Sequence, residues 1–105
     1  MKELSGQERR RLRGKAHGLR PLVQIGKNGV TESVMEAIDR ALADHELIKV
    51  KFLDHKAEKR ELTSGIAEKT KSYLVDVIGN VAILYRKRPY PAKRKAPESK
   101  GRGRG

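Results

Sequence analysis

The chain is 105 residues long and strongly basic, with 25 Lys and Arg against 13 Asp and Glu and a formal net charge of +12. That length accommodates one domain with loose ends, and the charge favours polyanionic partners, with nucleic acid ahead of an anionic membrane surface. The absence of cysteine excludes disulfides, cysteine-based zinc sites and thiol catalysis.

The sequence carries no sign of a targeting segment or a membrane span. Residues 1–6 lack the apolar stretch of a signal peptide. No apolar run approaches the roughly 20 residues that a transmembrane helix needs. We therefore expect a soluble protein in the cytoplasm.

The positive charge is concentrated at the two ends of the chain. Residues 1–20 carry +5 and residues 86–105 carry +8, whereas residues 21–85 are close to neutral at −1. This distribution is typical of a folded body with polyanion-binding flanks. We predict a domain over residues 1–86 and a disordered tail over residues 87–105, where Pro, Lys and Arg-Gly repeats dominate.

A first helix is predicted to begin at the capping box formed by Ser5 and Glu8 and to end at Gly18 and Pro21. Its apolar side comprises Leu12, Ala16 and Leu19. Its other faces carry five cations, namely Arg9, Arg10, Arg11, Arg13 and Lys15. Such a face is either solvated or bound to an external anion. The second interpretation accounts better for the repulsion between like charges spaced four residues apart.

A short strand over residues 22–25 leads into a turn with two glycines at residues 26–29. Thr31 is a favourable N-cap and predicts the start of a second helix. The apolar positions of that helix recur at helical spacing, at Val34, Met35, Ile38, Ala41 and Leu42.

The second half of the domain predicts a strand, a helix and a hairpin. Ile48, Val50 and Phe52 alternate with lysines, which indicates a half-buried strand with a basic face. After a polar segment, a third helix is predicted with one side formed by Leu62, Ile66, Thr70 and Tyr73. Two β-branched runs, 74–78 and 81–85, flank a Gly-Asn pair and predict a hairpin with a type II′ turn. The order α-β-α-β-α-β-β indicates a compact α/β domain with a mixed sheet packed by helices.

The glycine loop, which comprises Gly26, Lys27, Asn28 and Gly29, is the main candidate binding site. A strand, a Gly-x-x-Gly turn and a helix start present backbone N–H groups at the positive end of a helix dipole, which suits a phosphate. Glycine also allows a nucleic-acid backbone to approach closely, and KH domains clamp nucleotides with such a loop. The alternative is an ordinary β–α turn that needs two glycines.

The residues do not meet the requirements of an active site or a metal centre. His17, His45 and His55 have neither His-x-x-x-His spacing nor a nearby acid that would complete a metal triad. His17 and His45 fall near predicted helix C-termini, where a capping role explains them. We find no paired carboxylates, Ser-His-Asp set or Walker motif. We therefore predict no enzyme, no cofactor, no metal and no small-molecule substrate.

Three segments read LRPLVQIGKNGVT (19–31), HELIKVK (45–51) and IGNVAILYR (78–86). Together they resemble the CRM domain family, named for chloroplast RNA splicing and ribosome maturation. The resemblance runs from about residue 4 to residue 86. It implies a mixed four-stranded sheet packed by helices, similar in shape to the C-terminal domain of bacterial translation initiation factor three.

The resemblance also implies RNA binding. A single domain of this length is similar to the stand-alone bacterial members, called YhbY-like, which associate with precursors of the large ribosomal subunit. The family's RNA-contacting loop corresponds to the glycine loop. Basic residues of the first helix and nearby surface would extend the contact, at Arg9, Arg10, Arg13, Lys15 and Arg20. The expected protein is a monomer that binds rRNA.

Other functions stay open on the sequence alone. The chain could be a protein-interaction or chaperone-like module that acts on ribosomal proteins or translation factors, or it could bind DNA. Aromatic residues make up only 4% of the chain, which favours recognition of shape and backbone over extensive base stacking. The tail could bind RNA loosely or serve as a solubilising end, and the family resemblance does not cover it.

Overall fold

The computed structural model describes residues 4–87, which contain three helices and four strands. In chain order they are α1 (Gly6–Ala16), β1 (Val23–Ile25), α2 (Glu32–His45), β2 (Leu47–Phe52), α3 (Lys59–Thr70), β3 (Tyr73–Ile78) and β4 (Val81–Tyr85). A 3-10 turn at Lys56–Glu58 precedes α3 and was not predicted. The predicted order α-β-α-β-α-β-β is confirmed.

The four strands form one mixed sheet in the order β1-β2-β4-β3. β1 and β2 run parallel, whereas β4 runs antiparallel to both of its neighbours. The strand ends at Ile25 and Phe52 and the β3–β4 turn therefore lie at the same end of the sheet, which we call the loop end. The N–H of Phe52 donates to the carbonyl of Asn80 at 2.7 Å, which joins the β2 end to that turn.

Helices cover both faces of the sheet. On one face, α2 packs against β1 and β2, and α3 packs against β3 and β4. Because strand side chains alternate between faces, Ile48, Val50 and Phe52 all enter the core beneath α2 and α3. On the other face, Leu12 and Ala16 of α1 form a smaller cluster with side chains of β3 and β4. The domain is therefore a three-layer α/β/α structure.

Local hydrogen bonds cap the N-termini of α1 and α2 at the residues that the sequence predicts. The N–H of Glu8 donates to the Ser5 hydroxyl at 3.1 Å, and the N–H of Ser5 donates to the Glu8 carboxylate at 3.1 Å. The Thr31 hydroxyl accepts from the N–H of Val34, also at 3.1 Å. Both caps use residues three positions apart, so local sequence is sufficient to define them.

Two predicted helix positions are wrong. α1 ends at Ala16, so Leu19 lies beyond the helix with 40% of its surface exposed, and it does not extend the apolar side. α3 ends at Thr70 because Lys71 adopts a left-handed φ of 57°, and Tyr73 is the first residue of β3. In both places the helix ends before it reaches the next apolar residue of the predicted helical pattern.

The hairpin turn agrees with the predicted type II′ geometry, since Gly79 has a φ of 59° and is the one residue of the Gly-Asn pair with positive φ. β3 also contains a bulge between Leu74 and Asp76. This bulge leaves Val75 outside the ladder register. It turns both Val75 and Asp76 toward the α1 side of the sheet, where Val75 joins the small cluster and Asp76 contacts Arg13.

Arg86 anchors the C-terminal end of the domain through hydrogen bonds of its side chain and its backbone. Its guanidinium donates to the Asp39 carboxylate at 2.7 Å and to the Thr70 carbonyl at 2.9 Å. Its backbone N–H donates to the carbonyl of Glu46 at 2.8 Å. Apart from Lys87, the predicted tail lies outside the described residues.

Candidate nucleic-acid interface

The glycine loop forms a tight turn at the loop end of the sheet, between β1 and α2. The N–H of Gly29 donates to the carbonyl of Gly26 at 2.9 Å, which closes the turn. Lys27 and Asn28 occupy its exposed tip. The turn therefore presents one cation and one amide side chain to solvent at the edge of the domain.

The two glycines of the loop differ in backbone conformation and in the space around them. Gly29 has a φ of 74°, in the left-handed region that favours glycine, and a Cβ there would lie 3.5 Å from Nε2 of His55. A Cβ on Gly26 would meet no atom within 4 Å, and the φ of Gly26 is not left-handed. The backbone of an ordinary β–α turn thus requires Gly29, whereas the fold leaves room for a side chain at Gly26, as it does at four other glycines of residues 4–87. The space beside Gly26 is open to an external group.

His55 supports the loop from a distant part of the chain. Its Nε2 lies 2.9 Å from the carbonyl oxygen of Lys27. The segment that carries His55 is itself anchored to β1, because the N–H groups of Leu53 and Asp54 reach the carbonyl of Ile25 at 2.9 and 3.3 Å. No sequence pattern indicates this role, because the partner of His55 is a backbone atom.

Further lysines surround the glycine loop at the loop end. Lys51, near the end of β2, is exposed and pairs in register with Gln24 of β1. Lys56 follows His55 and is also exposed. Lys59 donates to the Asn80 side chain at 3.1 Å. These three lysines add positive charge at the loop end, where the carboxylates of Asp54 and Glu58 are also exposed, and they were not among the predicted site residues.

The basic residues of α1 do not form one face. Arg9 donates to the carbonyls of Leu74 and Val75 at 2.8 and 3.0 Å, and Arg13 pairs with Asp76 at 3.1 Å. These two arginines therefore lie over β3, about 14 Å across the sheet from β1 at the usual strand spacing. Both are already bound to the domain itself.

The other predicted cations lie elsewhere. Helical geometry places Arg10 on the outer side of α1, opposite the buried Leu12, where it is exposed. Lys15 and Arg20 line a cavity with Leu47 and Ile48 of β2 and Tyr85 of β4. The structure therefore places these two cations together at the end of the sheet opposite the glycine loop, apart from Arg9 and Arg13.

Residues 4–87 contain neither a metal-binding cluster nor a membrane-spanning helix. In that part of the chain no three His, Asp or Glu side chains come together in a way that could hold a metal ion. None of its helices has the length and apolar character needed to cross a membrane. His17 is the C-cap residue of α1 and its backbone N–H donates to the carbonyls of Arg13 and Gly14, while His45 is the last residue of α2, so both lie at helix C-termini as predicted.

Comparisons with known proteins agree with this architecture. An RNA-binding protein from Haemophilus influenzae is 42% identical over 87 residues, which cover 82% of this chain and 88% of that protein. A protein from Pseudomonas aeruginosa, named a probable RNA-binding protein, is 38% identical over 91 residues, which cover 86% and 88% of the two chains. These names describe RNA binding and no enzymatic activity.

A solved structure has the same fold. The solution structure of SAV1595 from Staphylococcus aureus matches with a TM-score of 0.74 and 39% identity, over 90% of this chain and 99% of that one. The model of the CRS1 / YhbY (CRM) domain matches residues 4–86, which is the whole folded part described above. The chain therefore belongs to the CRS1 / YhbY (CRM) domain family.

Proposed function

We propose that this protein binds structured RNA through its glycine loop and acts, without catalysis, as an assembly factor on precursors of the large ribosomal subunit. The observation that carries the proposal is the difference between the two glycines. Gly29 is needed by the turn, whereas Gly26 leaves open space that the fold itself does not use. A sugar-phosphate backbone is the partner that fits a glycine edge beside a lysine.

The charge around the loop supports this proposal. The middle of the chain is near neutral overall, yet Lys27, Lys51 and Lys56 are all exposed at the loop end. The RNA-binding names of the relatives support RNA as the polyanion. In the proposal the loop provides the specific contact, while the basic ends of a cytoplasmic monomer add general attraction.

Binding that neutralises phosphates must weaken as salt rises. If about six phosphates of single-stranded RNA are neutralised, the logarithm of the binding constant falls with the logarithm of the salt concentration at a slope of about −4. A slope near zero contradicts the proposal. Competition with DNA of the same sequence checks the nucleic acid, because the 2′-OH distinguishes RNA from DNA.

The direct test reverses the charge of the loop tip with Lys27→Asp and Asn28→Asp together. We expect unchanged circular dichroism and RNA affinity about tenfold or more weaker, because phosphate contacts become repulsive. The matched control is Lys69→Asp with Ser64→Asp on the exposed surface of α3, which has the same change in net charge. Equal losses in the two variants would show that only total charge matters and would contradict a loop site.

The ribosomal part of the proposal is tested in cells. The native protein should co-sediment with large-subunit precursors, and nuclease treatment should release it. A protein-interaction module acting on ribosomal proteins or translation factors would stay bound after nuclease. Co-sedimentation that survives complete RNA digestion would therefore favour that alternative over RNA binding.

A further inference from the structure

A cavity of about 450 Å³ opens between α1 and the end of the sheet opposite the loop end, where β2 begins and β4 ends. Its walls come from α1, from the segment that joins α1 to β1, and from the junction of α2 with β2. This volume lies in the range of small-ligand sites in proteins. None of the residues 4–87 fills it, and the glycine loop does not line it.

Cations surround the mouth of the cavity. Arg11, Lys15 and Arg20 line it together with His45 and with the carboxylate of Glu46. The lining therefore carries an excess of positive charge, with three cationic side chains against one carboxylate. By contrast, Arg9 and Arg13 on the other side of α1 are engaged with β3. Arg11 and Lys15 therefore lie at the cavity, on a different side of α1 from the two arginines that contact β3.

The floor of the cavity is apolar. The buried Leu12 lies at its base, and Leu19 and Leu22 line it with 40% and 52% of their surfaces exposed. Tyr85 contributes a ring that stacks on Tyr73, with 6.4 Å between ring centroids. Two exposed leucines beside an aromatic ring form a surface suited to a flat apolar group.

The wall of the cavity is held in place by Lys49. Its ammonium donates to the carbonyl of Leu19 at 3.0 Å and to that of His17 at 3.4 Å. The carbonyl of Lys49 accepts from the N–H of Leu22 at 3.0 Å. The segment between α1 and β1 is thus tied to β2 at both of its ends, so the cavity is formed before any ligand arrives.

We propose that this cavity accepts one unstacked nucleotide of the bound RNA, with the base against Leu19, Leu22 and Tyr85 and the phosphate at Arg11, Lys15 and Arg20. The inference rests on the proposed function and adds a second contact to it. A nucleotide joins an anionic phosphate to a flat ring, so it matches both the cationic part and the apolar part of the lining. Single bases of RNA are commonly recognised in this way, extruded from the helix and stacked on protein side chains.

The cavity and the glycine loop are connected along β1. Leu22, Gln24 and Gly26 alternate onto the same face, since Val23 and Ile25 enter the core. Four residues of extended chain place the loop about 13 Å from the cavity. The exposed Gln24 and its register partner Lys51 lie between them. One RNA strand along this edge therefore meets both sites.

The first test needs no RNA. Methyl and amide NMR spectra of the full chain are recorded with each 5′-nucleoside monophosphate, with ribose 5-phosphate and with inorganic phosphate. We expect nucleotides alone to shift the signals of Leu19, Leu22 and Tyr85, and Leu22→Asp to abolish the shifts. Equal shifts with inorganic phosphate would reduce the site to an anion site, and no shift at these residues would overturn the inference.

The second test compares two RNA hairpins that differ only in a bulged nucleotide, which is intact in one and abasic in the other. We expect about tenfold tighter binding of the intact bulge, as stacking of one base provides. Leu22→Asp should remove the preference, whereas Ile78→Asp, the same change at an exposed residue on the opposite edge, should keep it. The glycine-loop double variant should weaken both complexes equally.

The outcomes separate the two proposals. Tight binding of both hairpins without any preference would overturn the nucleotide site and leave RNA binding through the loop intact. A preference that Leu22→Asp leaves unchanged would place base recognition outside the cavity and overturn the inference. Failure to bind either hairpin, or any other RNA, would overturn the proposed function itself.

Discussion

The Nε2 atom of His55 lies 2.9 Å from the carbonyl oxygen of Lys27, a residue 28 positions earlier in the chain. Because a carbonyl oxygen only accepts, Nε2 carries the hydrogen in this contact. His55 itself has a left-handed φ of 56°, and its N–H donates to the Asp54 carboxylate at 2.7 Å. This contact therefore supports the exposed tip of the glycine loop from within the domain and orders it without any ligand.

Replacement of His55 should loosen the glycine loop. In His55→Asn the side chain tolerates the left-handed φ but cannot reach Lys27. We expect a loss of about 1 kcal/mol in the free energy of unfolding, as for one hydrogen bond, and faster hydrogen exchange of the Gly29 amide. Urea unfolding and NMR exchange measure these effects. His17→Asn, at an exposed helix end, is the control, and identical Gly29 exchange in both variants would contradict a supporting role for His55.

The two loop glycines should respond differently to alanine. Gly29→Ala places a Cβ on a residue with a φ of 74°, which costs about 1–2 kcal/mol in folding free energy. Gly26→Ala meets open space, so its folding should change little while its RNA affinity falls. Urea denaturation and RNA titration of both variants separate the effects. Full RNA affinity in Gly26→Ala would contradict close approach of RNA at that position.

Arg9 and Arg10 are neighbours in sequence with different surroundings. Arg9→Ala leaves the carbonyls of Leu74 and Val75 without their donor and should cost about 1–2 kcal/mol in folding free energy. Arg10→Ala, with the same loss of charge, should stay within about 0.5 kcal/mol of the parent. Thermal and urea unfolding measure both. Equal stabilities would show that the Arg9 contacts contribute nothing to the fold.

A chain that ends at Lys87 tests the domain boundary and the tail. Arg86 retains its bonds to Asp39 and Thr70, so the free energy of unfolding should stay within about 0.5 kcal/mol of the full chain. RNA binding should weaken, with a salt slope reduced by about one unit for each phosphate contact that is lost. An unchanged slope would assign the tail a solubilising role instead. Arg86→Ala is the destabilised control.

Tyr85 predicts a pH dependence of stability in the alkaline range. Burial raises the pKa of its hydroxyl above the ordinary value of 10.0; the carboxylates of Glu46 and Glu8 and the neighbouring Tyr73 add to the rise, while Arg11 opposes it. The folded state therefore keeps this proton where the unfolded chain has lost it, so stability falls as the pH rises above 10.

The measurement is urea unfolding at about pH 9 and about pH 11, on either side of the ordinary tyrosine pKa. The parent should lose more stability over this interval than Tyr85→Phe. Below the unfolded pKa both states are neutral at this position, so the variant should show no difference in pH dependence there. Tyr73→Phe is the control for the second ring, and equal losses in the parent and Tyr85→Phe would contradict the raised pKa.

Much of the fold follows from the sequence alone, because it depends on residues close together in the chain. The caps at Ser5 and Thr31 involve partners three residues away, and the turn at Gly79 needs one residue that tolerates positive φ. The strand β2 follows from period-two alternation. The glycine loop was also found in this way, since its composition and its place between a strand and a helix are local features.

The tertiary structure alone decided which cations of α1 bind to other parts of the domain. Five basic residues in α1 look equivalent along the chain, but rotation by about 100° per residue directs them differently. Arg9 and Arg13 meet β3, whereas Arg11 and Lys15 meet the open cavity. The contact of His55 with Lys27 is equally invisible in the sequence. The charge pattern along the chain predicts that the two ends attract polyanions. Only packing between distant segments determines which cations are bound by other residues of the domain.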